Sequence, residues 1–382
     1  MKKHRLWNLL FSLFSTELSA NRIFGLDILR AFAIIVVMID HGKFIFPKKI
    51  VEFHNYIQVD GVSIFFVLSG FLIGGILINQ LENKPTCYRV LIDFWIRRWF
   101  RTLPTYFLIL TILIVCYQIK NPSFTIHTMM NYYIFCQNLY QALPPEYFAE
   151  SWSLSVEEWF YLTIPFIIFS LIIILKWKPR KAVLVTALIV LCGVTFLRYT
   201  IHTSLDLERA KTFHHIVIYR LDSIMYGVIA AYLKYYYSKY WNLIPLPLFI
   251  IGLFILFSRN IFLNEMFPDL LGLYKTVFEF SLTSLATLLL LPFLSHLKQT
   301  KHKAGILITS ISILSYSMYL THMSLIKGMI LYSIPWTRFT KNYHIIIPIL
   351  YSLYWGTTFL FSAIIYKLYE YPMTKIRDKF RS

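Results

Sequence analysis

Ten ionisable residues stand inside or at the edges of long apolar runs of this chain: Arg30, Asp40, His41, Asp60, Glu157, Glu158, Arg220, Asp222, Glu279 and His322. Ionisable groups in hydrocarbon are expensive, and those that persist usually line a polar cavity or do chemistry. Arg30 and His41 are the most suggestive pair. Their eleven-residue spacing returns to within about 20° of the same helix face and separates them by about 16.5 Å along the axis. One helix face thus carries a cation near one membrane surface and an imidazole about half a membrane further out. An imidazole held by a carboxylate on its other nitrogen is a suitable general base for a hydroxyl near neutral pH. Glu157, arriving from the same outer end of a later helix, is the expected carboxylate. The plain alternative for His41 is a satisfied histidine at a helix end.

The elements that must position these groups are membrane helices. Apolar residues make up 57% of the 382 positions and charged residues 15%, against roughly 45–50% and about 25% in soluble domains, so a soluble fold could not hide this surface. Apolar stretches near the spanning length fall at about 28–46, 60–81, 102–119, 151–175, 182–200, 215–233, 242–258, 276–295, 304–326 and 344–366. This pattern predicts an all-α integral membrane protein, a bundle of about ten transmembrane helices. The stretch 127–143 is apolar and aromatic but short, and reads as re-entrant or interfacial. With the N-terminus inside, the inner segments carry 23 Lys and Arg, and the outer segments with the outer ends of their spans carry 12. That bias predicts both termini in the cytoplasm. Residues 1–21 read as a cytoplasmic lead-in without a signal-peptide cleavage site, 22–377 as one transmembrane domain and 378–382 as a short cytoplasmic tail.

The formal charge of +18 does not point to nucleic acid, because the basic residues sit in short loops between apolar runs. Anionic lipid headgroups and, at one place, a phosphorylated cofactor fit them better. Cys87, Cys116, Cys136 and Cys192 have neither CxxC nor metal-ligand spacing and read as unpaired packing residues. No metal site is expected.

An ordered set of strings resembles the acyltransferase 3 family of membrane O-acyltransferases. They are Leu26-Asp27-Ile28-Leu29-Arg30 with Arg30-x10-His41, the run from Asp60-Gly61 to Ile73, and Arg98-x-x-Arg101 followed by Pro104 and Tyr106. Then come Ser151-Trp152-Ser153-Leu154-Ser155-Val156-Glu157-Glu158-Trp159-Phe160-Tyr161, similar to the family's SxSLxxExxxY motif, Arg220-Leu221-Asp222, the stretch Leu314–His322, and Glu370-Tyr371-Pro372. The resemblance runs from Arg22 to about Arg377. It implies transfer of an acyl group, most often acetyl from acetyl-CoA, to a hydroxyl of an envelope carbohydrate such as lipopolysaccharide O-antigen, capsule or exopolysaccharide. It also implies a multi-pass protein of the bacterial inner membrane. With about sixteen residues after the tenth span, the chain resembles a stand-alone member without the C-terminal SGNH domain.

The resemblance implies roles. His41 is the base, oriented by Glu157, and Arg30 stabilises the CoA portion or developing negative charge. Arg98 and Arg101, helped by Arg97, hold the CoA phosphates on the cytoplasmic side, half a membrane or more from His41 and Glu157. Without the resemblance, the arginine run reads as positive-inside anchoring. Asp60, Ser153, Tyr161, Arg220, Asp222 and His322 are candidates to line the substrate cavity, and Trp152 and Trp159 read as interface anchors. A transporter or flippase of a lipid-linked saccharide is the rival reading, although no inverted repeat is visible. The acceptor, the acyl chain and the oligomeric state are not in the sequence.

Overall fold

The computed structural model describes residues 22–141, 147–204, 213–267, 271–298, 302–338 and 342–379. The lead-in 1–21 and the last three residues of the expected tail lie outside them. Among the described residues the chain is helical with no strand, and ten helices are sixteen residues or longer. They are α1 (Phe24–Gly42), α2 (Gly61–Asn83), α3 (Tyr88–Lys120), α4 (Ser151–Leu175), α5 (Pro179–Ser204), α6 (Leu221–Tyr236), α7 (Pro245–Met266), α8 (Glu279–Leu294), α9 (Lys303–Thr321) and α10 (Tyr343–Ile365). Helices suit this composition because every backbone polar group is satisfied within the segment, as lipid demands.

Eight helical segments among the described residues are long and apolar enough to cross a membrane. The other two expected spans fall short for different reasons. Helix α1 has 19 residues but carries Asp27, Arg30 and Asp40. Helix α6 has only 16 residues, about 24 Å against a hydrocarbon core of about 30 Å. It starts later than expected because 213–219 form two short 3-10 turns. Conversely, α3 starts at Tyr88 and runs 33 residues, so the arginine run expected ahead of a span lies inside a continuous helix. The stretch 127–143 contains only a 3-10 turn, Ile126–Met129, and a four-residue helix, Met130–Tyr133. Its last two residues lie outside the described set.

Helix α2 is the centre of the bundle, with 78% of its apolar window buried inside the protein, whereas α7, at 17%, is peripheral. Small residues let α2 and α6 meet backbone to backbone. A Cβ on Gly70 would overlap the carbonyl oxygen of Ile224, and one on Gly227 the carbonyl oxygen of Val67. Three π-helical segments, Tyr274–Phe278, His322–Ile330 and Tyr366–Glu370, interrupt or extend long helices. Such segments occur disproportionately at functional sites.

The close approach makes a testable contrast within one helix. Gly70→Ala must push two backbones apart, and we expect it to cost at least about 1–3 kcal/mol. Gly75→Ala has nothing within 4 Å of its new methyl and should leave stability unchanged or slightly raised. Thermal unfolding of both variants in detergent, followed by monodispersity on a sizing column, checks this. Equal melting points would refute the packing argument.

Candidate active site

A cavity of about 320 Å³ runs through the bundle. One end is basic and polar: Arg22 and Arg30, Arg98, Arg101 and Thr102 of α3, and Tyr366, Glu370 and Thr374 beyond α10 line it. Arg101 is exposed as well as lining, so the cavity opens there. The other end is narrower in chemistry, with Val62 and Phe65 of α2, Ser153 and Leu154 of α4, and Tyr319 of α9.

The arginines at the open end differ in how they are held. Arg98 is engaged through its Nη2: Glu157 Oε2 lies 3.6 Å from it, Ser69 Oγ 3.3 Å away, and it donates to the Tyr161 hydroxyl, while the guanidinium stacks 4.3 Å over that ring. Arg22 pairs with Asp27, which also accepts from Ser312 Oγ at 2.7 Å. Arg30 and Arg101 make no ion pair and no side-chain hydrogen bond to any described residue, and both line the cavity. Their charge is available to a ligand. Arg97 is half-buried and does not line the cavity.

Glu157 therefore sits where the sequence reading did not put it. It was expected beside His41, half a membrane from Arg98, but it meets Arg98 and lines the cavity. The reason is that α3 is long: a helix beginning at Tyr88 carries Arg98 deep into the bundle, and Glu157 is six residues, about 9 Å, from the start of α4. Glu158 faces elsewhere and accepts from Thr102 Oγ1 at 3.0 Å.

His41 is oriented by another group. Its Nδ1 lies 2.7 Å from Nε2 of His322, with nearly parallel rings at 11° and 5.0 Å between centroids. His322 is the first residue of the π-helical segment His322–Ile330, and its Nδ1 is 2.7 Å from the Tyr319 carbonyl oxygen. The same segment donates Lys327 Nζ to the His41 carbonyl at 3.1 Å. His41 and His322 do not line the cavity, but Tyr319 does, and its ring is 5.7 Å from that of His322. Tyr319 also shares a 2.7 Å hydrogen bond with Ser153. The cavity thus ends beside the histidine pair.

Glu150, which sequence reading missed, anchors this region. It accepts from the Ser324 backbone N–H at 3.0 Å and from the Ser324 hydroxyl, and burial pushes its carboxyl up to about 7. Its place just before the SxSL string was the available signal. Asp40, for which sequence reading found no role, accepts from Lys43 Nζ and Gln58 Nε2, each at 2.9 Å, and so pins the segment between α1 and α2.

The remaining candidates are engaged by partners within the protein. Asp60 caps α2, accepting from the Val62 and Ser63 backbone N–H groups at 3.0 and 3.2 Å, and pairs with Arg220 at 3.2 Å. Arg220 lies 3.7 Å over the Phe280 ring. Asp222 pairs at 2.5 Å with Arg198, both side chains fully buried, and Ser281 donates to Asp222 at 3.1 Å. Arg198 was not singled out from the sequence, although a lone Arg in an apolar run signalled it. Neither Asp60, Tyr161, Arg220 nor Asp222 lines the cavity; Ser153 does. Trp152 is half-buried, with its ring between His215, at 4.8 Å, and Phe66, at 6.0 Å. No cluster of three or more His, Cys, Asp or Glu suited to a metal ion occurs among the described residues.

If Asp222 is structural, Asp222→Ala strands the buried charge of Arg198, and we expect a loss of about 3–5 kcal/mol. Any folded fraction should keep the donor KM of the parent. Normal thermal stability with an altered KM would instead make Asp222 part of a binding site.

An open basic end, a cavity and an ordered imidazole at its far end are the parts expected of a bundle that moves a group from a charged donor. Comparison with known proteins agrees. Peptidoglycan O-acetyltransferase OatA of Listeria monocytogenes is 29% identical over 188 residues, which cover 46% of this chain and 28% of that protein. O-acetyltransferase OatA of Staphylococcus aureus is 29% identical over 178 residues, 42% of this chain and 26% of that protein. The matched part is therefore little more than a quarter of those relatives' length. No solved structure matches. The family described as an acyltransferase domain matches residues 23–367, nearly the whole chain, and the chain belongs to that family.

Proposed function

We propose that the chain is a membrane O-acetyltransferase that carries an acetyl group from acetyl-CoA to a hydroxyl of a cell-envelope carbohydrate. The observation that carries this reading is a cavity lined by four arginines at its open end and ending beside the His41–His322 pair. The names of the relatives favour peptidoglycan as the acceptor to test first. The transport reading gains nothing from the family match or from the cavity.

In this reading both termini and the open end of the cavity face the cytoplasm. The donor enters with its phosphates at Arg101 and Arg30, the two arginines not engaged by protein partners, and with Arg98 behind them. Planar guanidinium groups suit phosphate oxygens. Arg30, about 16.5 Å along α1 from His41, is too distant to touch the same carbonyl, which favours a role on the donor's charged portion. Glu157 sets Arg98 in place and leaves the orientation of His41 to His322. The pantetheine arm extends along the cavity toward Ser153 and Tyr319. There His41 takes the proton of the acceptor hydroxyl as its oxygen attacks the thioester carbon. The carbon–sulfur bond breaks, and the thiolate recovers the proton to leave as CoA.

We expect His41→Ala to lower turnover by about 10²–10⁴-fold, the usual contribution of a general base, with normal insertion and unchanged donor affinity. Release of free CoA by purified protein given acetyl-CoA and a peptidoglycan fragment measures it. Parental turnover would remove His41 from the mechanism.

For the donor site, Arg101→Ala should raise the KM for acetyl-CoA without loss of folded protein, and donor binding should weaken with salt. Arg101→Lys should restore part of the affinity, since a point charge lacks the bidentate geometry. An unchanged KM in both variants would return the arginine run to membrane anchoring.

A further inference from the structure

The reading above uses His41 as a base but does not say which nitrogen is bare, or why. The contacts of His322 decide it. His322 Nδ1 lies 2.7 Å from the carbonyl oxygen of Tyr319 and 3.1 Å from that of Met318. A carbonyl oxygen can only accept, so Nδ1 of His322 carries the proton. In the neutral ring Nε2 is then the acceptor. It faces His41 Nδ1 at 2.7 Å, so His41 Nδ1 donates, and its other nitrogen, Nε2, holds a free lone pair.

We infer that His322 is a positioning residue that fixes His41 in the tautomer with a protonated Nδ1 and a bare Nε2. The inference rests on His41 being the base. His322 itself touches neither donor nor acceptor, since both its nitrogens are occupied and it is fully buried.

Its own placement is over-determined. His322 begins the π-helical segment, Ser324 of that segment is tied to Glu150 through backbone and hydroxyl, and Lys327 grips the His41 carbonyl. One segment therefore holds the ring of His41 and the backbone beneath it. When His41 Nε2 takes the acceptor's proton, the ring becomes cationic, and the bond to His322 becomes charge-assisted and stronger. Handing the shared proton from His41 Nδ1 to His322 Nε2 would put the charge on the fully buried ring and lead no further, because His322 Nδ1 already carries a proton and faces only carbonyl oxygens, so the acceptor's proton is not relayed onward. It stays on His41 until the departing thiolate takes it back. The second histidine thus works as a fixed acceptor and no relay is built.

The test has two arms. The first is turnover of His322→Leu and His322→Gln with acetyl-CoA and a peptidoglycan fragment, with acetyl-CoA binding measured separately. Leucine removes the acceptor, and we expect kcat to fall roughly 10–100-fold, as for other outer partners that fix a histidine, with KM and donor binding unchanged. Glutamine can accept from His41 through its oxygen and donate to the Tyr319 carbonyl through its amide, so it should recover part of kcat. The double variant His41→Ala/His322→Leu should be no slower than His41→Ala alone. Parental kcat in His322→Leu, no recovery in His322→Gln, or a double variant slower than His41→Ala would overturn the inference.

The second arm needs no His322 variant to fold. In protein labelled with ¹⁵N histidine, the signals that disappear in His41→Gln should show a protonated Nδ1 and an unprotonated Nε2. The opposite pattern would overturn the inference whatever the kinetics. Full turnover by His41→Ala would instead sink the base reading beneath it, and the nitrogen signals tell the two failures apart.

Discussion

A charge withdrawn from water into this bundle must find an opposite charge or a polar cavity, and that constraint organises the molecule. Removing one partner of a buried pair is far more costly than the pair is worth, so each pair acts as a lock between helices. Arg198–Asp222 ties α5 to α6, and Arg220–Asp60 ties the start of α6 to the cap of α2. Arg98–Glu157 ties α3 to α4, and Arg98 also reaches Ser69 of α2. Together with the backbone contact at Gly70 and Gly227, these locks hold α2 through α6 in one arrangement. Arg30 and Arg101, which have no such partner among the described residues, face the cavity.

The same constraint separates structural from chemical groups. A polar residue whose partners all come from the protein has already satisfied its own desolvation and has little left for a ligand. Asp222 and Asp60 are of this kind. Arg101 and Arg30 are not, and they cluster at the open end of the cavity. At the far end the logic is inverted: His41 is restrained on one nitrogen and at its backbone carbonyl, which is what a base needs if the other nitrogen is to meet a substrate in a defined orientation.

The π-helical segment after α9 explains how the two ends are coupled. An α-helix continued through His322 would keep a regular succession of faces. The widened turns place His322, Ser324 and Lys327 against three different partners, namely the His41 ring, Glu150 and the His41 carbonyl. Tyr319, one turn earlier, meets Ser153 of α4 and the cavity. Helices α1, α4 and α9 therefore converge at one point although they are far apart in sequence.

Hydropathy and residue spacing by themselves determined the all-helical membrane class and the existence and approximate limits of most helices, because apolar run length and helical period are local properties. Arg30 and His41 could be assigned to one face since both lie on α1. What only the tertiary structure decided was who meets whom. Glu157 looked like the partner of His41 by depth, but it answers to Arg98, since α3 extends fourteen residues further back than its apolar core. His322 looked like packing as readily as chemistry, yet it is the group that holds His41. Arg198 and Glu150 drew no notice from the sequence, and both are essential partners. Hydropathy reads each helix against lipid, whereas pairing depends on the rotation and depth of one helix relative to another, which no single segment encodes.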